Sequence, residues 1–148
     1  VWKRSLAAAA AAGLLFTQAA SAEAQSDVQV MLDAYVATCR IKSSTGDTQA
    51  FLAKRDHGER SKSYKTALDK AYAESSACVE QQKRLAKPVV RDAIEKTPEL
   101  KPQILETYSK WMSYMDWLTY PHDLLEDPPE ARNYKDASNR LKAELELR

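Results

Sequence analysis

Two histidines, two cysteines and a run of closely spaced aromatic residues are the side chains of this sequence with chemistry to offer. His57 stands in Asp56-His57-Gly58-Glu59, and His122 opens His122-Asp123-Leu124-Leu125-Glu126. Each stretch sets acid beside an imidazole and supplies half of a metal site, yet neither has a recognised ligand spacing. Charged surface loops produce such neighbours routinely, so neither a metal nor a cofactor is expected. A C-x-x-C redox pair and a C-x-x-C-H haem attachment are absent from the sequence, as are a Gly-rich phosphate loop and a serine elbow. Catalysis is not expected on these grounds. Convergence of His122 with Glu126 and a third acid around one cavity is the arrangement that would reverse that expectation.

Cys39 and Cys78 form an even pair, which in an oxidising compartment reads first as a disulfide. Closing a loop of this length stabilises a fold by about 4 kcal/mol in the chain-entropy account. Oxidation also removes the thiol nucleophile.

The aromatics Tyr108, Trp111, Tyr114, Trp117 and Tyr120 recur at every third position. At about 100° per residue, Ile104, Tyr108, Trp111, Met115 and Leu118 form one buried stripe. A spacing of three falls about 60° short of a full turn, so Tyr114, Trp117 and Tyr120 spiral progressively away from it. Trp117 and Tyr120 then share the back of the helix with Glu106, Lys110 and Ser113. Either Leu124 and Leu125 fold over that back face, or it stays open. An open Trp-Tyr pair suits a partner anchor, so Trp111, Tyr114, Trp117 and Tyr120 are the candidate partner-binding residues.

The elements that carry these groups begin behind an export signal. Lys3 and Arg4 precede an apolar run from Leu6 to Phe16, and Ala20-Ser21-Ala22 offers a cleavage site. The expected organisation is a cleaved signal peptide over 1–22 and a single helical domain over 23–148. The run falls well short of the roughly twenty residues that cross a bilayer, so no transmembrane anchor is expected. The chain has 22 Lys and Arg against 21 Asp and Glu, and loss of Lys3 and Arg4 leaves one more acid than base. Neither nucleic acid nor an anionic membrane is favoured by that balance. The stretch with Lys54, Arg55, Arg60, Lys62 and Lys65 is interleaved with acids and reads as a solvated face.

Beyond the signal only Gly46 and Gly58 remain, too few for the turns of a sandwich or barrel. The expected fold is all-α, an irregular bundle of four to five helices with one interhelical disulfide. Ser26 and Gln29 fit a capping box, opening a helix that buries Val28, Leu32, Tyr35 and Cys39. Lys42 to Asp47 reads as a turn, with a short helix from Thr48 to Gly58. A helix from Glu59 to Lys87 places Tyr64, Leu68, Ala71, Ser75, Cys78, Gln82 and Leu85 in register. Pro88 is expected to open a separate helix ended by Thr97-Pro98-Glu99. The aromatic helix then runs from near Pro102 to Tyr120, and a last one, with its start signal in Asp127-Pro128-Pro129-Glu130, buries Ala131, Tyr134, Ser138, Leu141 and Leu145. Cys78 lies far along its helix, so either the segment from Ser43 to Gly58 carries the chain back to it or the helices cross steeply.

Trp111-Met112-Ser113-Tyr114-Met115-Asp116 resembles the W-x-x-Y-x-D segment of small exported helical domains of the lysozyme-inhibitor type. Leu105-Glu106-Thr107-Tyr108 and the early Cys39 are compatible with that pattern, and the likeness covers about fifteen residues. It implies binding to a cell-wall hydrolase or another envelope partner.

These readings lead to a non-enzymatic helical protein of the periplasm, or secreted, which binds a macromolecular partner in the envelope in an inhibitor- or immunity-like way. The alternative is a carrier of a small apolar or aromatic ligand in an interhelical pocket lined by Tyr35, Tyr64, Tyr108 and Trp111.

Overall fold

The computed structural model describes residues 13–120, 122 and 126–147, with side chains from residue 28 onward. The described chain is all-α. Helix α1 spans Gly13–His57, α2 Lys62–Lys96, α3 Lys101–Trp117 and α4 Pro129–Glu146, with a 3-10 turn at Pro98–Leu100. Residues 1–12 of the expected signal lie outside the described residues, and so do Leu124 and Leu125.

The first two helices form a long hairpin. Gly58 reverses the chain with φ of 86°, a left-handed conformation that a residue with a Cβ adopts only at a cost. Its N–H donates to the Lys54 carbonyl at 2.8 Å. Ser61 then caps α2, its hydroxyl accepting from the Tyr64 N–H at 3.1 Å. Cys39 and Cys78 are almost equidistant from this reversal, which is what an antiparallel pair requires of residues that face each other. They are joined as a disulfide with Cα atoms 5.7 Å apart.

Four expected boundaries are corrected by the structure. The turn at Lys42 to Asp47 is absent, because α1 passes straight through it and leaves no separate short helix. The hydroxyls that should favour a turn are instead satisfied inside the helix. Thr45 and Thr48 donate to the carbonyls of Ile41 and Ser44, each at 2.8 Å. Gly46 is used for close approach: a Cβ added there would lie 2.7 Å from the Ala71 Cβ. Pro88 likewise does not open a helix but lies inside α2. Its ring cannot donate to the carbonyl one turn back, a local cost of about 3 kcal/mol. The buried stripe of Cys78, Val79, Gln82, Ala86, Val90 and Ala93 runs on both sides of it, so continued packing offsets the local loss. The third correction is at Ser26, which is no N-cap, because the backbone is already helical from Gly13; Gln18 to Gln25 is rich in Ala and other helix formers. The aromatic helix also ends at Trp117 rather than Tyr120.

The core lies at one end of the hairpin. Val28, Leu32, Val36 and Cys39 of α1 meet α2 from Cys78 onward, and α3 and α4 close over them with Ile104, Trp111, Met115, Tyr134 and Leu141. Toward the turn, the buried residues shrink to Ser43, Ala50, Ala71 and Ser75. Polar ties fix α4 to α1: the Tyr134 hydroxyl donates to Asp33 at 2.7 Å and the Gln29 amide to the Ser138 carbonyl at 2.7 Å. Lys83 of α2 pairs with Asp116 of α3.

Candidate functional site

The aromatic helix divides between core and surface. Trp111 is fully buried, and its indole N–H donates to the Leu32 carbonyl at 2.9 Å. Tyr108 stacks on it with centroids 5.6 Å apart, and Tyr35 meets it edge-on at 6.5 Å. Tyr114 is also buried, against Tyr134 at 6.4 Å. Of the four candidate anchors, Trp111 and Tyr114 are thus core residues, because their positions fall on or near the inward stripe. Trp117 is half-buried and Tyr120 is 64% exposed. The aromatic pocket expected from Tyr35, Tyr64, Tyr108 and Trp111 does not form. Three of those rings fill the space themselves, while Tyr64 sits near the hairpin turn under the Lys54 ammonium, 5.7 Å from its ring centre.

A groove of about 810 Å³ opens instead between α1 and α4, lined by Val36, Tyr114 and Tyr134 and edged by Asp33, Arg40, Arg132 and Lys135. Burial pushes the Tyr134 hydroxyl far above the ordinary phenol range, helped by its bond to Asp33.

His122 occupies a buried corner that the sequence did not reveal. Its Nδ1 is 2.7 Å from the Tyr120 carbonyl. Its Nε2 is 3.3 Å from the Ser43 hydroxyl and 3.4 Å from Asp47 Oδ2. The ring lies on Trp117 with centroids 3.9 Å apart. His122, Glu126 and Asp47 therefore do converge on one cavity, together with Arg40 and Ser44, but its volume is only about 80 Å³. That holds two or three waters at roughly 30 Å³ each, not an ordinary substrate. Ser43 and Asp47 also address the same ring nitrogen, whereas a nucleophile, base and orienting acid in relay need opposite nitrogens. Ser43 is moreover buried in mid-helix. The arrangement is a polar staple between α1 and the α3–α4 connection. His57 is exposed beside the turn, where Arg55 takes the Asp56 carboxylate at 2.7 Å and holds it below its usual range. No cluster of metal-ligating side chains occurs among the described residues.

The outer face of α1 carries the feature that sequence reasoning missed. Val30, Ala34, Ala37, Ile41, Thr45, Thr48 and Leu52 recur at helical spacings of three or four, and all are exposed. Val30 and Ile41 are 60% and 67% exposed. The stripe holds no charged residue, in a chain that is 29% charged. Thr45 and Thr48 add little polarity, because their hydroxyl protons are bound to the helix's own carbonyls. The pattern was legible, but an assumed turn at Lys42 to Asp47 cut it in two. Among the described residues no helix is long and apolar enough to cross a membrane. No known family model matches the chain, nor does any curated protein or any solved structure.

Proposed function

We propose that this chain is a non-catalytic binding protein of an oxidising compartment, the periplasm or the exterior, which docks a macromolecular partner through the outer face of α1. The observation that carries this reading is the exposed, uncharged stripe from Val30 to Leu52. An apolar run of this length on a surface is a feature of interaction sites. It extends about 33 Å at 1.5 Å per residue, enough to receive a helix or a sheet edge. The Cys39–Cys78 bond supports the compartment. The resemblance in the Trp111–Asp116 segment supports an inhibitor- or immunity-like role toward an exported hydrolase. Tyr120 remains available as a second contact, while the buried Trp111 and Tyr114 act by holding α3 in place.

A photo-crosslinking residue placed at Ile41 in the exported chain tests this reading, with the same residue at the exposed Asp92 as control. The expected result is one covalent adduct from position 41, none from 92, and its loss on adding Thr48→Asp without a fall in helicity. Equal labelling from both positions, or none from 41, would overturn the reading.

The α1–α4 groove favours one second reading, a carrier of a small apolar or aromatic ligand seated on Tyr114 and Tyr134. Native mass spectrometry of the purified chain checks it, because a carrier retains a bound small molecule.

A further inference from the structure

We propose that His122 and Asp47 hold one proton between them, and that its loss unties His122 from α1, making this corner a pH-responsive contact. It stands apart from the docking stripe and shares no residue with it.

The geometry dictates the proton. A carbonyl oxygen only accepts, so the 2.7 Å contact with the Tyr120 carbonyl puts the hydrogen of a neutral ring on Nδ1. Nε2 is then a lone pair, facing Asp47 Oδ2 at 3.4 Å. That oxygen is buried and has no hydrogen-bond partner among the described residues. The side chains of His122 and Asp47 are only 8% and 13% exposed, so water does not screen them freely. With both groups deprotonated, two acceptors confront each other in a poorly solvated space. The single Ser43 hydroxyl, 3.3 Å from Nε2, has one proton and can satisfy only one of them. A proton on Nε2 turns the confrontation into a charge-assisted bond, and a proton on the carboxyl gives a neutral one.

The surroundings favour retention of that proton. Trp117 covers the imidazole ring, with centroids 3.9 Å apart, and keeps water from that side of the pair. Glu126, Arg40 from α1 and Tyr114 from α3 line the same cavity, and Tyr72 of α2 lies within electrostatic reach of Asp47. Burial raises the Asp47 carboxyl above its ordinary value, although His122 and the neighbouring Ser43 hydroxyl pull it back. A raised value means that the contact is complete at low pH and is lost as pH climbs through it. Release of one proton lowers the ratio of tied to untied corner by up to about tenfold per pH unit.

Tryptophan fluorescence of the full chain tests the proposal, because an imidazolium against an indole quenches its emission. Spectra and acrylamide quenching are recorded at several values upward from the ordinary carboxyl range, from about pH 4 to 8, with circular dichroism to confirm constant helicity and Trp117→Phe to assign the signal. In the wild type, Trp117 emission and acrylamide access are expected to rise together along a one-proton curve. Asp47→Asn supplies an amide N–H to the Nε2 lone pair, so acrylamide access stays low throughout. His122→Gln removes the pH dependence of both. Acrylamide access that is constant with pH in the wild type, or that rises equally in Asp47→Asn, overturns the proposal. Should either variant fail to fold, the wild-type curve alone decides.

Discussion

Gly46→Ala gives the sharpest test of how the hairpin is built. On a free helix surface, alanine in place of glycine stabilises by about 1 kcal/mol. Here the new Cβ would lie 2.7 Å from the Ala71 Cβ and 3.0 Å from its Cα, where carbon atoms ordinarily sit about 3.5–4.0 Å apart. The helices would have to part by roughly 1 Å, and the Cys39–Cys78 bond, two turns or about 10 Å away, resists that. Overpacking of this kind costs about 1–3 kcal/mol, so the substitution is expected to be neutral or to destabilise by up to ~2 kcal/mol. The diagnostic quantity is the coupling with Ala71→Gly, which removes the opposing methyl. Urea unfolding of the two single variants, the double variant and the wild type, without reductant, gives it directly. The double variant is expected to be more stable than the sum of the single changes by about 1 kcal/mol or more. A Gly46→Ala chain that gains the full helix-propensity increment, with no coupling to position 71, would refute the close approach.

Two further outcomes follow from single residues. Pro88→Ala restores an N–H to the exposed interior of α2 and is expected to stabilise by up to about 3 kcal/mol, read as a higher urea midpoint at unchanged slope. Tyr134, held neutral by burial and by Asp33, resists ionisation. Its contribution is intact below the ordinary phenol value near 10 and is lost as pH rises beyond it, at up to about 1.4 kcal/mol per pH unit. Ultraviolet titration is expected to show this phenol ionising only as the helices melt.

How much of the site was legible differs from residue to residue. Trp111 was readable as core because it shares a stripe with Ile104 and Met115, and Trp117 as off-stripe because its angle on α3 follows from spacing alone. Ser43 and Asp47 were not readable as partners of His122, since contacts between residues so far apart in the chain, 79 positions for Ser43, leave no periodic trace. The uncharged stripe of α1 was periodic, yet hidden by turn-forming residue types whose hydroxyls are satisfied within the helix.

Composition and helical periodicity by themselves determined that the protein is all-α, that Cys39 and Cys78 face inward, and that α4 buries Tyr134 and Leu141. These follow from local spacing, which any chain position carries with it. Tertiary structure alone decided where the helices end. Gly46 could mark a turn or a close approach, and Pro88 a helix start or an interior break; in each case the favourable term is packing against a distant element. The same holds for His122, whose chemistry comes from a carboxylate and a hydroxyl brought to it by the fold.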